Sequence, residues 1–193
     1  MSEIVAIQNE TLNNLLHNLQ IPDYEPSASL ELLGNAASRY IKDLKINVGN
    51  ALNNTQYLSK KEALLMALAV AINEKYNPLK ESFTAQAKEE GATDAELAEI
   101  AAITSLMNIN NVFYRFRHFM QKDFYNNQPA GIKMSVMMNP VQGKEFFELV
   151  SLVISSINGC EMCVSSHEQS VLQHGSSEAR IFPVLRTITF DNM

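Results

Sequence analysis

Cysteine is nearly missing from this chain of 193 residues: there are two, Cys160 and Cys163. Two cysteines three positions apart do not make a secreted disulfide framework; they read as redox or metal chemistry. Glycine and proline are sparse, at 7 and 6 residues, which excludes a collagenous repeat. Long hydrophobic runs are lacking too. Stretches such as Ala67 to Ile72 fall far short of the ~20 residues that a membrane-crossing helix needs. The first ten residues, Met1 to Glu10, have no basic segment followed by an apolar one. No signal peptide is therefore read, and a cytoplasmic location is expected. Basic charge is in deficit, with 15 Lys and Arg against 21 Asp and Glu and a formal net charge of −6. Nucleic-acid binding needs a basic face, so neither nucleic acid nor membrane is expected as a partner.

What is present is an ordinary globular mixture, 46% hydrophobic and 19% charged. The length suits one domain or two closely packed halves, with a core that needs no staple. Helix signals run through the chain. Ser59-Lys60-Lys61-Glu62 and Thr93-Asp94-Ala95-Glu96 are capping boxes, in which side chain and backbone at the two ends satisfy each other. The first opens a helix carrying Leu64, Leu65, Leu68 and Ile72, broken before Asn77-Pro78. A second runs to Gly91. The box at Thr93 opens a long helix with Leu97, Ile100, Ile103, Leu106, Ile109, Val112, Phe113 and Phe116 expected on its buried face. Pro129-Ala130-Gly131 ends this region, and residues 132–138 read as an extended linker. Helices are expected from about Gly143 to Ile157, from near Cys160 to Gly175, and over Ser177 to Phe190 with a kink at Pro183. Residues 1–20 and 28–46 also read as helical. No segment alternates as a strand would, so the predicted fold is all-α.

A faint internal repeat is visible. Leu65 to Gly91 aligns without gaps on Leu149 to Gly175, with few identities, among them Leu65/Leu149, Leu68/Leu152 and Gly91/Gly175. Both stretches read as apolar helix, breaker, second helix, glycine, capped third helix. The expected organisation is an N-terminal half of about residues 1–126 without the cysteine pair and a C-terminal half of about residues 140–193 with it. In this register Glu148, Cys160, Cys163 and His167 stand opposite Leu64, Tyr76, Leu79 and Phe83. The chemistry of the second half would then be set on a scaffold that stands without it.

Cys160-Glu161-Met162-Cys163-Val164-Ser165-Ser166-His167 is the informative segment. Positions 160, 163 and 167 share one helix face. The Asn158-Gly159 turn sets Cys160 near a helix N-terminus, where free N–H groups and the dipole favour a thiolate. A thiolate is the form that attacks peroxides and disulfides. His167, one turn beyond Cys163, is a candidate base. Glu148 lies about as far before the turn as His167 lies after it. At ~1.5 Å per residue on two antiparallel helices the two fall within about a turn of each other. A base with a carboxylate to orient it is the arrangement of an activated nucleophile. Other readings stay open. A zinc site would need a fourth ligand besides Cys160, Cys163 and His167, and two buried cysteines with a core histidine would need no chemistry at all. Haem attachment is excluded because Val164 follows the second cysteine.

Glu148, eleven intervening residues, then Cys160-x-x-Cys163-x-x-x-His167 resembles the alkylhydroperoxidase AhpD family of the carboxymuconolactone decarboxylase-like superfamily. Asn158-Gly159-Cys160, Ser165-Ser166-His167-Glu168 and the stretch from Met107 to His118 carry the same likeness, which covers essentially the whole chain. The resemblance implies an all-α homotrimer of two similar halves, with no bound cofactor. It implies weak alkyl hydroperoxide reductase activity and, as main work, reduction of a partner peroxiredoxin, AhpC. Dihydrolipoamide on a lipoyl-bearing 2-oxoacid dehydrogenase component is the implied electron donor. By position, Cys163 matches the peroxidatic cysteine, which passes through a sulfenic acid and can form a mixed disulfide with the peroxiredoxin. Cys160 matches the more exposed proton donor and resolving cysteine, and the two close a redox-active disulfide. Glu148 and His167 match the proton relay. One departure is Met162, where family members often carry histidine; a thioether carries no proton. The alternative from another class is a non-enzymatic all-α module whose cysteines bind zinc or sense redox state. His17 and His174 are expected at the surface, the nine Met as gap-fillers, and the aromatics between Phe113 and Phe119 in the core beside surface arginines.

Overall fold

The computed structural model describes residues 9–21, 26–53 and 56–190. Among them every regular element is helical and no strand occurs. The helices are α1 (Glu10–Asn18), α2 (Ala28–Asn35), α3 (Tyr40–Asn53), α4 (Lys60–Asn73), α5 (Asn77–Glu89), α6 (Asp94–Met120), α7 (Asp123–Asn126), α8 (Lys144–Ile157), α9 (Glu161–Gln173) and α10 (Glu178–Val184). Two 3-10 turns, Ser135–Met137 and Leu185–Phe190, complete the set. Both capping boxes form as read, at Ser59 and at Thr93.

Two helices make the centre. In α4 every residue from Ala63 to Ala71 is buried, and in α8 every residue from Phe146 to Ser155. A helix apolar on all sides has to be enclosed by others. Helices α5 and α6 pack on α4, α9 and α6 pack on α8, and α3 with the Leu185–Phe190 turn closes over α4. Three-residue connections join α4 to α5 and α8 to α9, which forces each pair to run antiparallel.

The element bounds follow the faint sequence repeat. Helices α4 and α8 each have 14 residues and α5 and α9 each have 13. All four begin and end in the register of the alignment of Leu65–Gly91 on Leu149–Gly175. The backbone agrees: Lys75 and Gly159 share a left-handed φ of 59° and 65°, and Gly91 and Gly175 one of 83° and 94°. Thr93 and Ser177 then stand at the N-cap positions of α6 and α10, Thr93 with a capping hydrogen bond and Ser177 without one.

Three expectations are corrected. The helix read over residues 28–46 is two, α2 and α3. Gly34 and Asn35 are weak helix formers, Ala37 turns left-handed, and the amides of Ala37 and Ser38 close on the carbonyls of Gly34 and Leu33, a Schellman-type stop. The linker read at residues 132–138 contains the Ser135–Met137 turn. On α6, Ile100, Ile103 and Leu106 are buried, but Ile109, Val112 and Phe116 are exposed. The cause is length. At ~1.5 Å per residue, α6 runs ~40 Å against ~21 Å for α4. Past Leu106 its inner face meets the α8–α9 turn, and Met107, Asn110 and Asn111 are buried instead. Of the helix expected over residues 1–20, residues 1–8 lie outside the described residues.

Candidate functional site

Helix α8 ends at Ile157, the chain turns through Asn158 and Gly159, and Cys160 is the N-cap of α9. Gly159 has φ +65°, a conformation cheap only for glycine. The Cys160 side chain makes no capping hydrogen bond. Its sulfur instead joins that of Cys163 in a disulfide, with the Cα atoms 5.3 Å apart, inside the ordinary range for such a bond. Both cysteines lie in the first turn of α9. A thiolate released by opening the disulfide lies at the positive end of the helix dipole.

Glu148 and His167 meet as the sequence geometry anticipates. His167 Nδ1 lies 2.6 Å from Glu148 Oε2, with Glu148 3% and His167 8% exposed. A carboxylate only accepts, so Nδ1 carries the proton and Nε2 is the nitrogen left to exchange one. One turn of α9 separates His167 from Cys163 on the same face, which brings side chains to ~5–6 Å between Cβ atoms.

A third member was not read from the sequence. Lys144, one turn before Glu148 on α8, donates to Glu148 Oε1 at 2.9 Å and to the Met137 carbonyl at 3.0 Å. Burial pushes the Glu148 carboxyl up, but the hydrogen bonds and charges of His167 and Lys144 outweigh it and hold the carboxyl below its usual range. The spacing of Lys144 and Glu148, four apart on one helix, was the available signal.

The stretch from Met107 to His118 has a visible role in holding the turn. Asn111 donates to Ser155 Oγ at 2.9 Å, and Asn158 donates to Asn111 Oδ1 at 2.9 Å. Asn108 donates to Asn73 Oδ1 at 3.0 Å, and Asn73 donates to Asn158 Oδ1 at 3.2 Å. Arg115 donates to the Asn158 carbonyl. Amide side chains from α4 and α6 thus tie down the residues directly before Cys160. Above them lies a cavity of about 70 Å³, lined by Tyr114, Arg115, His118, Phe119, Cys160 and Met162 among others. It adjoins an open one of about 380 Å³ that shares Tyr114, His118 and Met162.

Two site expectations are corrected here. Cys160 is not the more exposed cysteine: it is 1% exposed and Cys163 6%. As N-cap it sits beneath the Arg115 end of α6, and the small cavity is the space beside it. The aromatics of α6 are not core either. Phe113 and Tyr114 are half-buried, and Phe116 and Phe119 are exposed. Tyr114 and Phe119 line the smaller cavity, and Tyr114 also lines the open one, because α6 overshoots the core. His17 and His174 are exposed, as expected. Among the described residues, no group of three or more His, Cys, Asp or Glu is arranged to hold a metal ion, and no helix is long and apolar enough to cross a membrane.

Known proteins are similar to this chain in sequence. Residues 143–192 match the model of the carboxymuconolactone decarboxylase family, the segment that carries all four anticipated site residues. Over most of its length the chain is similar to proteins named alkyl hydroperoxide reductase AhpD. With that of Solibacter usitatus it is 38% identical, covering 81% of this chain and 88% of the relative. With that of Rhizorhabdus wittichii the identity is 37%, covering 76% and 84%; with that of Coxiella burnetii it is 36%, covering 76% and 84%. Likeness of this extent reaches well beyond the cysteine helix, into α4 to α6 as well as α8 and α9, so the chain belongs to the AhpD family of alkyl hydroperoxide reductases.

Proposed function

We propose that this chain is a thiol–disulfide peroxidase. In this reading it reduces alkyl hydroperoxides and regenerates an AhpC-type peroxiredoxin with electrons from dihydrolipoamide. The observation that carries it is the Cys160–Cys163 disulfide at the start of α9, one turn from a buried His167 that is hydrogen-bonded to Glu148. A structural disulfide needs no buried carboxylate–imidazole pair beside it. A thiol that must ionise, attack and be resolved does.

In the reduced form His167 Nε2 takes the proton of Cys163, and Glu148 with Lys144 behind it stabilises the imidazolium. The Cys163 thiolate attacks the hydroperoxide; the O–O bond breaks, Cys163 becomes a sulfenic acid, and the alkoxide leaves as an alcohol with the proton from His167. The Cys160 sulfur attacks the Cys163 sulfur, water leaves, and the disulfide forms. Two electrons from a dithiol then open it. A peroxiredoxin disulfide is reduced by the same pair through a mixed disulfide on Cys163. Met162 carries no proton, so on the Cys163 side the relay runs through Glu148 and His167.

In this reading the protein holds no bound cofactor and receives electrons from the lipoyl group of a 2-oxoacid dehydrogenase component. It works in the cytoplasm, where disulfides are chiefly transient and catalytic. It assembles as a homotrimer, and the exposed Ile109, Val112 and Phe116 on α6 supply apolar surface for that assembly. The test is consumption of cumene hydroperoxide by the reduced protein. Cys163→Ser should abolish it. Cys160→Ser should leave a sulfenic acid on Cys163 that dimedone traps and that over-oxidises with excess peroxide. Full turnover by Cys163→Ser would reverse the roles, and no peroxide consumption by the unaltered protein would leave a redox-sensing module.

A further inference from the structure

Opening and closing the disulfide moves two protons, one for each sulfur. The Glu148–His167 pair lies on the Cys163 side, one turn further along α9. Cys160 faces the other way, into the cavity of about 70 Å³ between the start of α9 and the end of α6. That cavity has room for a water molecule or two. Of the side chains that line it, Arg115 is permanently charged and committed to the Asn158 carbonyl. Tyr114 presents a phenol hydroxyl, Met162 has no exchangeable proton, and Phe119 is apolar. Besides the carboxylate of Glu161, the imidazole of His118 is the remaining side chain there that can pass a proton. Its Nε2 lies 3.6 Å from Glu161 Oε2, on the residue next to Cys160. Arg117, on the adjoining cavity, lies over the Phe113 ring, 4.4 Å from its centroid.

We propose that His118, oriented by Glu161, is the proton carrier of Cys160, so that each cysteine of the disulfide has its own carboxylate–imidazole pair. The proposal rests on the peroxidase reading above and deepens it. When the Cys163 sulfenic acid has formed, neutral His118 takes the Cys160 proton through water in the cavity. The Cys160 thiolate attacks the Cys163 sulfur, the S–O bond breaks, and hydroxide leaves as water with that proton. When a dithiol attacks Cys163, the Cys160–Cys163 bond breaks and Cys160 leaves as a thiolate. Protonated His118 then returns a proton to it. The second thiol of the reductant resolves the mixed disulfide, releasing Cys163 to take its proton from His167. The Glu161 carboxylate is largely in solvent, and its part is to orient the ring. In this arrangement a histidine on α6 serves the side of the site where Met162 carries no proton.

The experiment separates the two half-reactions. Reduced protein is mixed with cumene hydroperoxide, sulfenic acid is followed by dimedone capture, and closure by loss of the trappable species. His118→Gln should slow closure at pH 7 by on the order of tenfold to a hundredfold, the low end of general acid–base effects. Sulfenic acid formation should stay within about twofold, since a chemical step that does not use His118 keeps its barrier. His167→Gln should show the reverse pattern. Glu161→Gln should slow closure by a smaller factor, and added imidazole should restore closure to His118→Ala. In a second arm, dithiothreitol reduces the disulfide between pH 6 and 8. The advantage of the unaltered protein over His118→Gln should widen as pH falls, because the donor is the protonated ring. Unchanged closure and reduction in His118→Gln, no rescue by imidazole, or equal slowing of sulfenic acid formation would overturn the proposal. If the unaltered protein forms no sulfenic acid, the peroxidase reading fails instead, and the dithiothreitol arm decides on His118 by itself.

Discussion

Glu148 carries more of the site than any other single residue. It accepts from His167 on one oxygen and from Lys144 on the other. Burial alone would raise its pKa, and these two partners reverse the sign. Folding therefore makes Glu148 a stronger acid than it is in the unfolded chain, where the ordinary value is 4.5. The stability this contributes is complete above that value and is lost as pH falls through the lowered folded value. Glu62, held down chiefly by the Ser59 backbone and Arg180 against its own burial, shifts the same way, as does Glu96 beside Lys61. The protein should thus lose stability from about pH 5 downward. Glu148→Gln should lose less over that interval, because one of the groups shifted down no longer titrates. Urea midpoints at pH 7, 5 and 4 measure this, and equal acid slopes for the two proteins would mean that Glu148 does not gain acidity on folding.

The α8–α9 hairpin sets the precision of the site, and its turn is the weak point. Gly159 supplies the left-handed φ that lets Cys160 cap α9. A Cβ at Gly159 would meet Arg115 Nη1 at 3.9 Å, ordinary contact, so the cost of a side chain there is backbone strain. Gly159→Ala should destabilise by about 1–2 kcal/mol and lower Tm by a few degrees. Lys75 occupies the matching turn of the α4–α5 hairpin with φ 59°, so Lys75→Gly should have the opposite sign, by up to ~1 kcal/mol. Differential scanning calorimetry checks both, and a shift of the same sign in the two would contradict the shared turn geometry. Local signals made this hairpin legible in the sequence: the Asn158-Gly159 turn, the helical spacing of Cys160, Cys163 and His167, and the capping boxes elsewhere. Lys144, four residues before Glu148 on one helix, is an equally local signal. The amide network of Asn73, Asn108, Asn111 and Asn158 was not legible, because it joins residues tens of positions apart whose meeting depends on how α4, α6 and α8 pack.

Across the whole molecule, two hairpins of equal lengths are built around two buried helices, α4 and α8. Where one carries Leu64, Leu79 and Phe83, all fully buried, the other carries Glu148, Cys163 and His167. The all-α class and the repeat register could be read from pattern and punctuation. The outer end of α6 could not, since its apolar residues continue past the core that would have buried them, and only the lengths of the packed helices reveal it. The resemblance implies a more exposed Cys160, whereas as N-cap of α9 it is buried. The central claim is that the two cysteines act as one two-electron unit beside a proton relay. Titration of free thiols in the reduced protein, before and after one equivalent of hydroperoxide, tests it most directly, with mass spectrometry to locate the product. The account predicts two thiols lost per peroxide consumed and a monomer-mass chain with Cys160 joined to Cys163. Two free thiols after peroxide, or disulfides only between chains, would contradict it.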